Sequence, residues 1–118
     1  MEHIEKKSAA RNKKVNKIEL LKPLRTINEA YAKIEEYAQT GYDSIEPHDM
    51  NFFFKCFGIF DRPQTPGLFM MRVRIPGGQL STKQAAAIGI IATKYGNDYI
   101  DITTRMQIEF RYLKIGDI

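Results

Sequence analysis

Thiols are almost missing from this sequence: its 118 residues include one cysteine, Cys56. A lone thiol closes no internal disulfide, which excludes the small disulfide-stapled secreted folds and makes a reducing cytoplasm the expected compartment. It also cannot hold an iron–sulfur cluster, which takes roughly four thiolates. Set among Phe52, Phe53, Phe54 and Phe57, Cys56 is expected to be a small buried apolar residue. Histidine is nearly as scarce. His3 and His48 stand far apart, in no metal-ligand spacing, and His48 reads as a loop residue. No serine, cysteine or histidine constellation points to nucleophilic catalysis. No apolar run approaches the roughly 18 residues of a membrane span. The charged start, Met1 to Lys7, has no apolar segment behind it, so neither a signal peptide nor a lipid anchor is expected.

Charge is present but uneven. Residues 1–25 hold eight Lys/Arg against three Asp/Glu, whereas the remainder holds ten against eleven. Lys6, Lys7, Arg11, Lys13, Lys14 and Lys17 thus form a basic arm, residues 1–17, expected to be solvated and flexible. Such arms can also bind nucleic acid or acidic protein surfaces. Residues 18–118 then make one domain's worth of chain.

Along that domain, Val15, Ile18 and Leu20 or Leu21 fit a short amphipathic helix interrupted by Pro23. Leu24, Ile27, Tyr31, Ile34 and Ala38 recur at steps of three and four, which predicts a second helix with these residues inward and Gly41 as its stop. Residues 42–51 read as loop. The aromatic stretch 51–60 could be a buried strand, though its periodicity does not settle the matter. After the turn Arg62–Gly67, alternation from Leu68 to Ile75 predicts a half-buried strand with Phe69, Met71, Val73 and Ile75 on one face and Arg72 and Arg74 on the other. Pro76-Gly77-Gly78 ends it, and is favoured as a strand-to-helix turn over a phosphate cradle. Ser81 with Gln84 forms a capping box. The helix it opens is expected to turn Ala85, Ile88, Ile91, Ala92 and Tyr95 inward and to close at Gly96-Asn97. Helices mixed with strands in this way make the fold class α+β.

From Tyr99 to Tyr112 the alternation holds without a Gly, Pro or Asn. Ile100, Ile102, Thr104, Met106, Ile108, Phe110 and Tyr112 share one parity; Tyr99, Asp101, Thr103, Arg105, Gln107, Glu109 and Arg111 share the other. This predicts one long strand, or two nearly continuous ones with a bulge, with an apolar face under helices and a polar face opposite. If the two strands share a sheet, Arg72, Arg74, Arg105 and Arg111 converge, with Thr103 and Gln107 beside them. Planar, permanently charged guanidinium forks suit oxyanions and carboxylates. Pattern alone leaves an anion-binding face and a plain solvated face equally open.

Several segments together resemble one family. Phe54-Lys55-Cys56-Phe57-Gly58-Ile59-Phe60 is similar to its Lys-x-x-Gly-hydrophobic-aromatic stretch, and Gly67 to Gly78 to its Phe-Met-x-Arg-x-Arg-hydrophobic-Pro-x-Gly core. Leu80 to Gln84 and Tyr95-Gly96 fit its helix, and Ile102-Thr103-Thr104-Arg105 resembles its Thr-Thr-Arg signature. The family is the ferredoxin-dependent nitrite and sulfite reductases, in their N-terminal ferredoxin-like half-domain. The resemblance implies a small β-sheet with helices on one face, preceded by N-terminal helices. It implies an oxidoreductase parent that uses sirohaem and a 4Fe-4S cluster, takes electrons from ferredoxin and reduces nitrite to ammonia or sulfite to sulfide. By position, Arg105 would meet the substrate anion, and Arg72, Arg74, Thr103, Thr104, Gln107 and Arg111 would meet the cofactor. Met106 and Glu109 depart from the family's usual glutamines, and Glu109 suits local pairing with Arg111. The cysteine pairs that would hold the cluster have no counterpart here, so these 118 residues are expected to be a piece of a longer reductase and inactive alone. A stand-alone anion- or nucleic-acid-binding module is the alternative. Nucleic acid is disfavoured because only Tyr99 is expected on the polar face. Pairing of two copies is a further possibility.

Overall fold

The computed structural model describes residues 13–118. Most of the expected flexible arm therefore lies outside the described residues, and its last part, from Lys13, opens helix α1 (Lys13–Leu21). As expected, Pro23 stops that helix, and the chain continues as a short turn, Lys22–Leu24. Helix α2 (Ile27–Thr40) begins at a capping box unnoticed in the sequence. The Thr26 hydroxyl accepts from the Glu29 N–H, and the Glu29 carboxylate accepts from the Thr26 N–H. It ends at Gly41, whose N–H reaches the Tyr37 carbonyl at 2.8 Å. A wide, π-helical stretch, Asp49–Phe53, runs into the single turn α3 (Phe54–Cys56). Strands β1 (Ile59–Asp61) and β2 (Phe69–Val73), helix α4 (Thr82–Tyr95), and strands β3 (Ile100–Ile102) and β4 (Ile108–Leu113) complete the order. The expected Ser81–Gln84 capping box is present at the start of α4.

The four strands form one antiparallel sheet in the order β1-β2-β4-β3. One face carries the core, where Phe69, Phe110, Leu113 and Ile59 pack with Phe54, Ile34 and Tyr37 of α2 and Ala92 of α4. The fold is thus α+β, with helices on one face of a small sheet.

Five expectations are corrected here. First, the long alternating segment is a hairpin: β3 and β4 pair antiparallel, Asp101 opposite Glu109. The chain reverses at Thr104-Arg105-Met106, closed by the Met106 N–H to the Thr103 carbonyl at 3.0 Å and the Thr103 N–H to the Gln107 carbonyl at 2.9 Å. Met106 sits in the left-handed region, φ 59°. Such loops place glycine or asparagine there, so methionine hid the turn. Second, Tyr112 is not on the core side. A bulge sets Met71 against Phe110 but Phe69 against Leu113, so β4 has an extra residue, and Tyr112 turns out against the Tyr99 ring at 6.1 Å. Third, of the residues expected inward on α2 Ile34 is buried, but it is joined by Ala30 and Tyr37, while Leu24, Ile27, Tyr31 and Ala38 are exposed. Both stripes obey a three-four spacing, so spacing could not choose between them. Fourth, only the last turns of α4 pack: Ala92 is buried, while Ala85 and Ile91 are exposed. Fifth, Cys56 is exposed and not buried: the aromatic stretch, left open in the sequence, is helical over 51–56, which buries the adjacent Phe53 and Phe54, and becomes strand only at Ile59-Phe60.

The supposed loop 42–51 also contains the most buried carboxylate. Asp49 is 0% exposed. Its Oδ1 accepts from Arg25 Nε at 2.9 Å, and its Oδ2 accepts from Arg25 Nη2 at 3.1 Å and from the Tyr37 hydroxyl. Burial first, and then the Asp49 hydrogen bond, push Tyr37 up to about 12. This network ties the entry of α2, its last turn and the chain leading to β1.

Asp49→Ala leaves the Arg25 guanidinium with Glu46 as its remaining acid partner and the buried Tyr37 hydroxyl without its acceptor, and should lower stability by about 2–4 kcal/mol, read as a shift of the urea midpoint. A second expectation concerns Gly78, which has φ 69° and whose added Cβ would stand 2.8 Å from Met106 Cβ. Gly78→Ala should destabilise by about 1–3 kcal/mol, and Met106→Gly in the same chain should recover part of the loss in a thermal unfolding scan.

Candidate functional site

On the face opposite the helices, the end of β2 and the β3–β4 loop enclose an open concavity of about 760 Å³. Its lining includes Arg72, Arg74, Thr103, Thr104, Arg105 and Gln107. Six of the seven residues singled out in the sequence therefore meet at one place. The seventh, Arg111, lines a different hollow with Tyr112, Met70 and Arg62.

Two local devices build the concavity. Thr103 folds its own loop, since its Oγ1 accepts from the Arg105 N–H at 3.3 Å and the Gln107 N–H at 3.2 Å. Gln107 then fastens that loop to the end of β2. Its Oε1 accepts from the Ile75 N–H at 2.6 Å, and its Nε2 donates to the Arg105 carbonyl at 3.1 Å and the Ile75 carbonyl at 3.4 Å. Arg74, immediately before Ile75, and Arg105, at the loop tip, are thereby held on the same wall. Met106 closes the arrangement by packing on Gly78 in the turn after β2.

The charges divide into two groups. Arg72 is in register with Glu109 across β2 and β4. Its Nε and Nη2 both donate to Glu109 Oε1, at 3.0 and 2.9 Å, and its guanidinium lies 4.8 Å over the Phe60 ring. Arg111 donates to Asp101 through Nε and to Glu109 Oε2 through Nη2 at 3.5 Å. The Asp101 hydrogen bond, followed by the charges of Asp101 and Glu109, holds Arg111 above its ordinary value. The expected pairing of Glu109 with Arg111 is present, but Arg72 is the closer partner. By contrast, among the described residues the side chains of Arg74, Thr104 and Arg105 make no hydrogen bond or ion pair, and all three line the concavity.

Glu109 itself also lines the concavity although it is only 7% exposed. In the sequence it stood out as a departure from the family's usual glutamine and as a local partner for Arg111; the signal that would have paired it with Arg72, their cross-strand register, depends on the hairpin. The other acidic cluster, Glu46, His48 and Asp49, already surrounds the Arg25 guanidinium, which reaches each of them. The single thiol, exposed Cys56, supplies no set of cluster ligands. Among the described residues, no helix is long and apolar enough to cross a membrane.

Comparison with known proteins agrees with the α+β fold. The family described as nitrite/sulfite reductase ferredoxin-like half domain matches residues 61–118, from β1 to the last residue. A ferredoxin–nitrite reductase of Synechococcus elongatus is 38% identical over 111 residues, which cover 93% of this chain and 22% of the relative. A ferredoxin sulfite reductase of Mycobacterium tuberculosis is 26% identical over 98 residues, 70% of this chain and 18% of that protein. Among solved structures, the NirA protein of Mycobacterium tuberculosis superposes with a TM-score of 0.76 at 28% identity, over 84% of this chain and 21% of its own. The chain spans about a fifth of the length of these relatives. It belongs to the nitrite and sulfite reductase family, of which it carries the ferredoxin-like half domain.

Proposed function

We propose that this chain supplies the anion-binding wall of a sirohaem-dependent nitrite or sulfite reductase of the assimilatory type. One observation carries the reading: two guanidinium groups without partners among the described residues, Arg74 and Arg105, line one open concavity together with the Thr104 hydroxyl, likewise unpartnered among them. Uncompensated like charges on one wall raise the free energy of the empty site, and an anion in reach of both lowers it.

The residues fit a carboxylate-bearing macrocycle on one side and a small oxyanion on the other. Arg74 and Thr104 offer donors to carboxylates of sirohaem, and the remaining Nη1 of Arg72 adds to them. Thr103, Gln107 and Arg111, whose polar groups are engaged within the protein, act by positioning: Thr103 and Gln107 set the loop, and Arg111 sets Glu109. Arg105 is the catalytic residue in this reading. It holds the nitrite or sulfite anion and stabilises the charge that shifts as oxygen atoms leave, by donors already in place. Bound sirohaem would supply the redox chemistry, with electrons from ferredoxin through a cluster held by other parts of the reductase. The chain lacks the thiolates for that cluster, so turnover belongs to the whole enzyme, working in the reducing cytoplasm with the remaining domains as partners.

In the complete reductase, Arg105→Ala should retain the sirohaem absorbance and lower turnover by about 10²–10³-fold. Turnover at the unaltered rate would overturn the assignment. For the 118-residue chain, titration with nitrite should move the backbone amide resonances of Arg74, Thr104 and Arg105 and leave those around Asp49 in place. A response spread evenly over the basic residues would instead indicate unspecific screening.

A further inference from the structure

The concavity contains its own counter-charge. Glu109 projects from β4 into the lining, between Arg72 on β2 and Asp101 on β3, in a row fixed by strand register. Its side chain is 10% exposed, and one oxygen accepts both donors of the Arg72 fork. The Phe60 ring supports that guanidinium at 4.8 Å, so Arg72 is held by its acid and is not swung toward a ligand. Arg111 is balanced by Asp101 and lies on another hollow. The positive charge left to an incoming anion is therefore that of Arg74 and Arg105, because Glu109 cancels the charge Arg72 would add.

We propose that Glu109 is a specificity-determining residue, which lowers the positive charge of the concavity and biases it toward singly charged oxyanions such as nitrite against doubly charged ones such as sulfite. This rests on the concavity being the substrate-anion site. The physical basis is linear: the repulsion from a fixed carboxylate grows in proportion to the ligand's charge, and the Glu109 carboxylate, itself largely buried, is screened less than a surface acid would be. Loss of the carboxylate strengthens binding of either anion, but strengthens that of the dianion more. A general loosening of the wall would instead weaken both anions, so the ratio of affinities separates a charge effect from a structural one.

The test is a nuclear magnetic resonance titration of the whole chain with nitrite and with sulfite, at mildly alkaline pH where sulfite carries two charges. Glu109→Gln should shift the ratio of dissociation constants by about tenfold in favour of sulfite. Arg72→Gln, which leaves the acid with only the longer bond from Arg111, should shift it in the opposite direction by a similar factor. The two variants are independent, so if one fails to give the dispersed spectrum of a folded chain the other still decides. Saturable binding of both anions with an unchanged ratio in a folded variant overturns the role of Glu109 and leaves the site itself standing. Failure of the unaltered chain to bind either anion removes the site, and this inference with it.

Discussion

The amide of Gln107 is the joint on which the cationic wall is assembled. A hairpin tip is ordinarily free to sway, and the end of an inner strand ordinarily continues into whatever follows. Here one side chain hydrogen-bonds the backbone of both, through the Ile75 N–H and carbonyl and the Arg105 carbonyl. Three bonds from one amide nearly exhaust what it can make. They turn two segments far apart in sequence into one rigid lip, and the guanidinium groups of Arg74 and Arg105 inherit their positions from it. Rigidity of this kind matters where charge is to be met by charge, because donors already in place need no reorganisation when an anion arrives.

The sheet is arranged around the same requirement. Its two faces have opposite solutions to the problem of satisfying side chains. The helix-covered face buries Phe69, Phe110 and Leu113 and depends on packing. The other face runs Arg72, Glu109 and Asp101 side by side across three strands, and depends on charge pairing, with Arg72 on Glu109 and Arg111 bridging the two acids. An unbroken row of arginines there would oppose folding by self-repulsion; interposed acids remove that opposition where no ligand is meant to sit. At the rim, just past the last paired residue of β2 and at the tip of the β3–β4 loop, the Arg74 and Arg105 guanidinium groups have no such partner among the described residues.

Much of this was readable before any coordinates. Two-residue alternation placed Phe69, Met71 and Val73 opposite Arg72 and Arg74, and the Ser81 and Gly41 signals bounded their helices, because these rest on near-neighbour geometry that the chain carries locally. The convergence of Arg72, Arg74 and Arg105 was also visible as parity, though for a partly mistaken reason: Arg105 reaches the site from a loop and not from a strand. What was hidden depends on residues acting outside their usual preference. Met106 takes a backbone conformation usually left to glycine, and Tyr112 takes another inside a bulge, so the hairpin and the switch of face had no signature. Asp49 was lost in a polar stretch because its partners, Arg25 and Tyr37, come from distant turns, and no spacing rule links them.

The contact between Met106 and Gly78 has a bearing on how this region can change over time. The methionine occupies the volume that any β-carbon at position 78 would need, and its own backbone remains in a conformation costly for a side chain. The two positions are therefore not free to drift singly. A larger residue at 78 is admissible only after 106 has shrunk, and a shrunken 106 gives up the wedge that presses the loop against the turn. Substitution at the rim must proceed through a narrow, ordered corridor, even though both residues lie near the surface and neither carries a charge.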